Sequence, residues 1–552
     1  MIRSDAPDGN ATVAPLRRLL RIVLAISLGV SAVLYFVWSR HWPLVGDASL
    51  IHYIGFLIER GWAPYRDLGD MNMPGSYLIE LAAMHVFGMG DLAWRFFDFT
   101  LLAAACAAFF LILKTEDGRS NWLAALFASA LFTLIHGRDG LAQSGQRDLT
   151  MAVCLLAASA FLLKCLRGPG ALWAAAAFGV LSGIAFTIKP TTILLTIGQL
   201  LVAVYALRGF GASDSNATDG GTRKRYSLSL SVVAAGYALA PAVCVLFLFR
   251  KRALAAFFAG FHGIIPYYAS LGHRPLGYIL LHSVSPVISL AILWLAVLAL
   301  DCRMLLRAGS DMTRAILVLG MLFGLVNCIL QARALPYYRY PLLAFLLPLM
   351  AIDFTAAAEK KLAGTLRAKA TCVLGIAALA VGGFFLAPQS AVLIHRYRWW
   401  QTDFSSSLEQ NLTALGGARL SGRIQCIDSI NGCGTVLYDM RLEPATGVLS
   451  DFLLFGPESA AIVRQTREQF SGAVFARPPE VIVVTSHLHI DGPDHYLKLD
   501  RWPAFEAFLA ANYTLATEWS PSRTTRWWSR EEFPAGYRLY VLRSPRPMAG
   551  YP

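Results

Sequence analysis

Long apolar stretches constrain this chain more than any other feature of its sequence. Hydrophobic residues make up 56% of the 552 residues and charged residues only 15%, whereas soluble domains carry about 25% charged residues. Residues 19–39 form the first stretch, which is long enough to cross about 30 Å of hydrocarbon as a helix. It is too long for the core of a signal peptide, and no small-residue cleavage site follows it. We therefore expect a polytopic, all-α membrane protein that keeps its first span.

Basic residues orient these stretches. Arg17, Arg18 and Arg21 precede the first span, and loops rich in Lys and Arg stay on the cytoplasmic side of a membrane. We therefore expect a cytoplasmic N-terminus. Further basic clusters at 223–225 and 360–361 fall in short loops, and this positive-inside pattern accounts for much of the net charge of +13. The charge is therefore not evidence for a nucleic-acid partner.

A loop of mixed composition follows the first span. Residues 41–90 combine short amphipathic segments, turns and several carboxylates, so we place the loop on the outer surface of the membrane. Its last segment, residues 75–87, allows two arrangements. If the segment crosses, the basic loops at 114–119 and 164–167 lie outside, and if it does not cross, both lie inside. The positive-inside pattern favours the second arrangement.

Ten further apolar stretches follow this loop. The predicted spans after the first are residues 94–113, 122–135, 149–163, 171–188, 191–207, 228–249, 278–300, 315–330, 340–356 and 371–386. With the first they make about 11 spans, and this odd number puts the C-terminal part of the chain outside. The transmembrane domain is therefore predicted over residues 1–386.

The composition changes at about residue 387, where charges and turns replace the apolar stretches. Strand patterns occur at 423–428, 481–485 and 537–542, and helix patterns at 459–470 and 502–512. We therefore predict an exported, soluble α/β domain over residues 387–552. Cys426 and Cys433 lie in it. In an oxidising compartment they could pair, and two unrelated thiols are the alternative.

Two groups of carboxylates lie at the outer ends of predicted spans. Asp47 begins the outer loop, ahead of the Tyr65 to Asp67 element, and Asp148 follows Arg147 where a later span begins. A carboxylate at a membrane face can serve as a general base or hold a divalent cation. Each also stands where a helix begins, a position at which Asp commonly caps backbone N–H groups. Taken singly these carboxylates fit the cap, whereas their combination indicates a site.

The order and spacing of these elements resemble the GT-C superfamily of integral-membrane glycosyltransferases, and more closely the bacterial relatives of protein mannosyltransferases and of the aminoarabinose transferase that acts on lipid A. The matching elements are Asp47, Tyr65-Arg66-Asp67, Met73-Pro74-Gly75, Phe87-Gly88 and Arg147-Asp148. The resemblance covers residue 1 to about residue 350. Met73 replaces the Lys or His of the family and Gly75 its second Pro, so another cation must hold the carrier phosphate here.

The resemblance implies transfer of a sugar from a lipid phosphate. Asp47 would be the general base that takes a proton from the acceptor hydroxyl. Asp148 would orient the acceptor or share a divalent cation with Asp47, and metal dependence stays open. Basic residues would neutralise the departing phosphate. The candidate residues for binding carrier or substrate are Tyr65, Asp67, Arg147, Lys189, Arg333 and Arg339.

Several of these residues also have simpler interpretations. Lys189 lies between two predicted spans, where an ionisable residue indicates function, but a lysine that only extends its amine to the interface fits as well. Arg333 and Arg339 flank two tyrosines that suit an interfacial aromatic belt better than sugar stacking. The outer loop 257–275 could cover the head group of the carrier, and an interfacial helix is the commoner alternative.

A histidine-rich motif follows a predicted strand in the C-terminal part. His487, His489 and Asp491, with Asp494 and His495 after them, resemble the H-x-H-x-D-H motif of metallo-β-lactamase-like hydrolases, whose ligands bind zinc. That fold needs further ligands well downstream, and the 57 residues after His495 contain no His. We therefore favour a polar turn after the strand.

The sequence favours a glycosyltransferase of the bacterial inner membrane. Its expected partners are a polyprenyl-phosphate-linked sugar, membrane lipid and an envelope acceptor, which is a protein, a lipid or a polysaccharide. A transporter or flippase is the first rival, and it would more often show repeated halves and broken helices, whereas this sequence has no internal repeat. A scaffold whose working part is the C-terminal domain is the second rival, and it predicts that Asp47 and Asp148 can be neutralised without loss of function.

Overall fold

The chain folds into two units. The computed structural model describes residues 9–114, 119–140, 144–167, 172–211, 219–284, 287, 312–362, 364–370, 391–428, 432–488, 492–520 and 535–543. The first unit comprises Met1–Arg40, Arg95–Val243 and Arg274–Ala391, and the second comprises His41–Trp94, Cys244–His273 and Val392–Pro552.

Helices make up most of the described chain. In chain order they are α1 (Gly9–Ser39), α2 (Gly46–Glu59), α3 (Pro74–Phe87), α4 (Asp91–Ile112), α5 (Trp122–Asp139), α6 (Arg147–Arg167), α7 (Leu172–Ile188), α8 (Ile193–Gly211), α9 (Asp219–Arg250), α10 (Leu254–Ser270), α11 (Leu276–Ile279), α12 (Met312–Leu330), α13 (Tyr340–Leu362), α14 (Ala391–Leu415), α15 (Cys433–Asp439), α16 (Phe452–Phe455), α17 (Ala461–Ala476) and α18 (Pro503–Asn512). Single 3₁₀ turns, Pro190–Thr192 and Pro336–Arg339, precede α8 and α13.

Many of these helices have the composition of membrane spans. Six are long and apolar enough to cross a membrane, namely Pro15–Val37, Asp91–Ile112, Arg147–Leu166, Ser229–Arg250, Met312–Leu330 and Pro336–Glu359. Three apolar helices are shorter, namely Trp122–Gly137, Leu172–Ile188 and Pro190–Tyr205. They correspond to all predicted spans except 278–300 and 371–386, which lie largely or wholly outside the described residues. The polytopic, mostly helical class is confirmed.

Glycines allow close helix packing in the first unit. A Cβ on Gly183 of α7 would lie 2.3 Å from the Tyr237 carbonyl oxygen of α9, and one on Gly324 of α12 would lie 2.4 Å from the Leu342 nitrogen of α13. Both obstacles are backbone atoms. Because lipid is as apolar as the side chains, helices in a membrane gain little from burying apolar surface, and close approach at small residues provides the packing instead.

The second unit contains the β-structure. Its four-stranded sheet has the order β1-β2-β6-β5, and β3 and β4 form a separate pair. The strands are β1 (Ile424–Ile427), β2 (Val481–Thr485), β3 (His487–Leu488), β4 (Gly492–Pro493), β5 (Tyr513–Trp519) and β6 (Tyr537–Leu542). β1 and β2 are parallel, and β6 runs antiparallel to both β2 and β5. The predicted strands 423–428, 481–485 and 537–542 are confirmed.

An apolar core joins β2 to two helices that the sequence predicted. Phe470 of α17, Ile482 of β2 and Phe505 of α18 are buried members of one cluster. A disulfide between Cys426 and Cys433 links β1 to the start of α15, which decides between the two alternatives for these cysteines. The α/β character of the C-terminal segment is thus confirmed.

The segment 75–87 is a helix within the second unit. α3 spans Pro74–Phe87, and its 14 residues extend about 21 Å at 1.5 Å per residue. This length is short of the roughly 30 Å of a hydrocarbon core. The length agrees with the arrangement in which the segment does not cross.

Candidate active site

Asp47 lies in the first turn of α2. The helix begins at Gly46, whose φ is +59°, and Val45 is its N-cap residue. Asp47 is therefore not the capping residue, although its position in the sequence suited that interpretation. A general base must be anionic, and the first turn of a helix is a favourable place for negative charge. The side chain is half-buried.

The helix that carries Asp47 is held by other parts of the second unit. His52 of α2 pairs with Glu80 of α3, and both side chains are buried. One residue further along α2, the Tyr53 hydroxyl donates to the Leu442 carbonyl oxygen at 3.0 Å. The helix is thus bonded both to the neighbouring helix of the outer loop and to the C-terminal segment.

Tyr65 and Asp67 have partners within their own loop. Tyr65 has a φ of +66°, which non-glycine residues seldom adopt. Its hydroxyl donates to the Asn72 carbonyl oxygen, and its ring centroid lies 5.0 Å from that of Phe257. Asp67 accepts from Arg66 Nε and Nη2 at 2.8 Å and 2.7 Å, and this hydrogen bonding lowers the pKa of Asp67. These contacts shape the loop, and substrate binding by either residue stays a prediction.

In the first unit, Asp148 forms a buried ion pair. Asp148 lies in the first turn of α6 and is 1% exposed. Lys189 Nζ lies 2.5 Å from Asp148 Oδ1 and also donates to the Gln331 side-chain oxygen. The same ammonium lies 4.5 Å from the centre of the Tyr338 ring. Lys189 therefore turns toward a buried carboxylate and does not simply extend its amine to the interface.

Three arginines complete the predicted basic residues, all of them in the first unit. Arg339 ends the 3₁₀ turn before α13 and is 1% exposed. Arg147 begins α6 and interacts electrostatically with Lys189. Arg333 is half-buried. A guanidinium can give a phosphate two parallel hydrogen bonds, so these side chains suit an anionic ligand.

The predicted site residues divide between the two units. Asp47, Tyr65 and Asp67 belong to the second unit, whereas Asp148 and the basic residues belong to the first. The structure brings Asp148 and Lys189 into direct contact. The role of each predicted residue in catalysis or binding stays a prediction.

Solved structures share this fold, although no family model and no curated protein matches the sequence. The apo crystal structure of ArnT from Cupriavidus metallidurans matches with a TM-score of 0.57 at 15% identity, over 93% of this chain and 97% of that one. ArnT bound to undecaprenyl phosphate matches over the same shares with a TM-score of 0.55 at 13% identity. The chain has the fold of ArnT.

The fold of ArnT is a GT-C fold, so the fold expected from the sequence resemblance is confirmed. The archaeal oligosaccharyltransferase AglB from Archaeoglobus fulgidus, solved with an inhibitory peptide and a dolichol-phosphate, has a TM-score of 0.49 at 12% identity. That match covers 90% of this chain and 73% of AglB.

The first unit contains a buried polar cluster that sequence patterns did not reveal. Asp98 of α4 and His136 of α5 are fully buried, with Asp98 Oδ2 and His136 Nε2 3.1 Å apart. The Tyr35 hydroxyl donates to the same carboxylate oxygen at 2.9 Å, and Gly145 N donates to the other at 2.6 Å. Because Gly145 precedes Arg147 by two residues, the cluster fixes the start of α6. In the sequence, the signal for this cluster was the ionisable residue Asp98 inside an apolar stretch.

A metal site has little support among the described residues. No group of three His, Cys, Asp or Glu side chains in that part of the chain could hold an ion. A divalent cation at Asp148 would compete with the Lys189 ammonium, which already contacts the carboxylate. In the His487 motif, the backbone oxygen of His487 accepts from Lys498 Nζ at 2.7 Å, while His489 and Asp491 lie outside the described residues. The cation stays an open expectation.

The segment 257–275, predicted to be an outer loop, is largely helical. α10 covers Leu254–Ser270, and the Tyr267 hydroxyl donates to the Phe452 carbonyl oxygen at 3.3 Å. A Cβ on Gly456 would lie 1.9 Å from the same hydroxyl. α10 therefore packs against the C-terminal segment within the second unit. Contact with a carrier head group stays a prediction.

Proposed function

We propose that the protein is a glycosyltransferase that moves a sugar from a polyprenyl-phosphate carrier to an acceptor of the cell envelope, with Asp47 as the general base. The fold that the chain shares with ArnT is the main support for this proposal. It extends over 93% of this chain and 97% of ArnT, a protein whose crystal structure contains undecaprenyl phosphate. The position of Asp47 on a packed helix directly after the first apolar helix supports the assignment.

In the proposed reaction, an Asp47 carboxylate oxygen takes the proton of the acceptor hydroxyl. The hydroxyl oxygen forms a bond to the anomeric carbon of the sugar. The bond from that carbon to the phosphate oxygen breaks, and its electron pair leaves with the lipid phosphate. A positioned base of this kind contributes about 10²- to 10⁴-fold to the rate.

The departing phosphate needs positive charge close to it. We assign this role to Arg147, Arg333 and Arg339, since a guanidinium binds a phosphate through two parallel hydrogen bonds. Lys189 is engaged with Asp148, and in the proposal it holds this carboxylate in place for orienting the acceptor. No step of the proposed reaction requires a metal ion.

The test is sugar transfer by the purified protein in detergent, measured on a panel of polyprenyl-phosphate sugars with envelope extract as the source of acceptor. The decisive variant is Asp47→Asn, which keeps the shape of the side chain and removes the base. Asp500→Asn is the matched control, because Asp500 is an exposed aspartate of the same unit. We expect Asp47→Asn to lower kcat by about 10²-fold or more and Asp500→Asn to leave it unchanged.

Other outcomes separate the alternatives. Equal turnover by the wild type and Asp47→Asn would keep the class of reaction and reject Asp47 as its base. No turnover on any donor in the presence of extract would reject the transferase. Protein-dependent movement of the lipid-linked sugar across vesicles without cleavage of the sugar–phosphate bond would support the transporter instead.

A further inference from the structure

A short helix of the C-terminal segment braces the helix of Asp47. The Tyr438 ring of α15 lies 4.8 Å from the His52 ring and 6.1 Å from the Phe56 ring of α2, measured between centroids. Just beyond α15, the Leu442 carbonyl oxygen accepts from the Tyr53 hydroxyl at 3.0 Å. Both contacts are made within the second unit. The position of α2 therefore depends on the position of α15.

The Cys426–Cys433 disulfide fixes α15 to the sheet. Cys433 is the first residue of α15, and Cys426 lies in β1. β1 is paired along its length with β2, which belongs to the buried core. Asp428 adds a hydrogen bond by accepting from Cys433 N at 2.9 Å. A helix of seven residues is too short to be stable by itself, so α15 depends on this covalent link and on its packing for its position.

Open space lies beside these elements. A cavity of about 30 Å³ is lined by Ser49, Leu50 and Tyr53 of α2 and by Cys426 and Gly434. The disulfide therefore borders a region that close packing does not fill.

We propose that the Cys426–Cys433 disulfide is a positioning element for Asp47, acting through α15 and α2, and that opening it lowers turnover. The inference rests on the proposed function of Asp47. A displacement of about 1 Å in a reacting group can cost about 10²-fold in rate. The loss is expected in kcat and not in the KM for donor, because the residues assigned to phosphate binding lie outside α2 and α15.

The experiment compares the full-length protein before and after treatment with dithiothreitol. One thiolate of the reagent attacks the disulfide and its second thiol closes the reagent's own ring. The protein gains two electrons and two protons as two thiols, and the reagent becomes a cyclic disulfide. Alkylation and mass spectrometry report the state of Cys426 and Cys433. We expect kcat to fall about tenfold or more on reduction, KM for donor to change less than about twofold, and reoxidation to restore kcat.

Two sets of variants make the result specific. Cys426→Ser/Cys433→Ser should have the kcat of the reduced wild type and should not respond to dithiothreitol. Tyr438→Ala should show the same loss of kcat without any change in the disulfide, whereas Tyr438→Phe, which keeps the ring between His52 and Phe56, should keep the activity. Unchanged kcat in fully reduced wild type would overturn the proposal.

A readout that does not depend on activity separates this proposal from the proposed function. Hydrogen exchange of the α2 amides, Gly46–Glu59, should accelerate at least about tenfold on reduction while the β2 amides stay protected. If the exchange of α2 accelerates but no sugar is transferred under any condition, the disulfide positions α2 as proposed and the proposed function is rejected. If sugar transfer occurs and the exchange of α2 is the same in both redox states, the positioning role of the disulfide is rejected and the proposed transferase function is retained.

Discussion

Among single residues, Lys189 is expected to stabilise the folded first unit through its buried partner. Its partner Asp148 is 1% exposed and the Lys189 side chain 21% exposed. Lys189→Met would leave a buried carboxylate without its ammonium, which typically costs about 3–5 kcal/mol. The partial exposure of Lys189 places the expected loss near the lower end of that range. Thermal unfolding of the purified protein, followed by tryptophan fluorescence, measures it.

The double variant Lys189→Met/Asp148→Asn is the control for the ion pair. Removing both charges avoids the uncompensated carboxylate, so we expect the double variant to recover at least half of the stability that Lys189→Met loses. Lys189→Met with wild-type stability would mean that water or another group compensates Asp148. A double variant no more stable than the single one would mean that the loss comes from packing.

Asp439 should make the stability depend on pH. It ends α15, where negative charge meets the negative end of the helix dipole. Asp439 is exposed at the surface, but partial desolvation, together with the carboxylates of Asp91 and Glu409, raises the pKa of Asp439 to about 7. Since the usual value is about 4, the folded state binds the proton more tightly than the unfolded chain, and stability falls as pH rises from about 4 to about 7.

Asp439→Asn removes this titration. We expect the variant to unfold at the same temperature as the wild type at about pH 4 and at a higher temperature at about pH 8, because only the wild type then holds a partly desolvated charge beside the carboxylates of Asp91 and Glu409. Thermal unfolding across this range measures the difference. An effect of equal size at both pH values would show that the substitution acts through packing and not through proton binding.

The sequence indicates candidate site residues where a carboxylate or base stands at the end of an apolar stretch. Asp47, Asp148 and Lys189 are candidates of this kind. His52 and Glu80 were not found, because these two paired residues are 28 positions apart in the sequence and neither interrupts a long apolar stretch. Asp98 and His136, 38 positions apart, were missed for a related reason. Asp98 lies within a predicted span that satisfied the criterion for an ordinary membrane helix, and His136 directly follows the predicted span 122–135.

At the level of elements, the loop that carries Tyr65 and Asp67 depends on a glycine of the C-terminal segment. A Cβ at Gly447 would lie 1.4 Å from the Asp67 carbonyl oxygen, and the Gly447 carbonyl oxygen accepts from Gly69 N at 3.0 Å. Gly447→Ala must therefore push two backbones apart. We expect a loss of about 1–3 kcal/mol, with faster hydrogen exchange over residues 63–70.

Gly472→Ala is the matched control for this substitution. Gly472 lies in α17, and no atom comes within 4 Å of the position its Cβ would take. The same chemical change should there stabilise the protein by about 0.5–1 kcal/mol, because alanine loses less backbone entropy than glycine in a helix. If both variants behave alike in thermal unfolding, the close approach of Gly447 to Asp67 does not determine the position of the loop.

The elements themselves were predicted unevenly. β2 was found over its full length because four apolar residues in a row and the β-branched Thr485, Val481–Thr485, are bounded by polar turns. β5 was missed because most of Tyr513–Trp519 is exposed, as expected for the edge strand of the sheet, and its side chains therefore lack strong alternation. α14, Ala391–Leu415, was missed because its polar and apolar residues are mixed.

For the whole molecule, sequence patterns predict contiguous segments, whereas the structure assembles distant ones. The domain predicted over 387–552 stays a prediction, and the second unit adds His41–Trp94 and Cys244–His273 to Val392–Pro552. Bonds such as Tyr53 to Leu442 join residues 389 positions apart. Hydrophobic periodicity reports only which face of an element is apolar and not which distant segment covers it.

The orientation of the chain in the membrane gives a prediction for the whole molecule. In a background without the native cysteines other than Cys426 and Cys433, we expect Glu468→Cys, an exposed position of α17, to react with a membrane-impermeant maleimide in intact spheroplasts. Ser215→Cys, in the basic loop predicted to be cytoplasmic between the spans 191–207 and 228–249, should react only after permeabilisation. Five spans are predicted between the two labelled positions, and this odd number requires them to lie on opposite sides of the membrane. Labelling of both positions from the same side would mean an even number of crossings between them and would place Asp47 or the C-terminal segment on the side opposite to the one proposed.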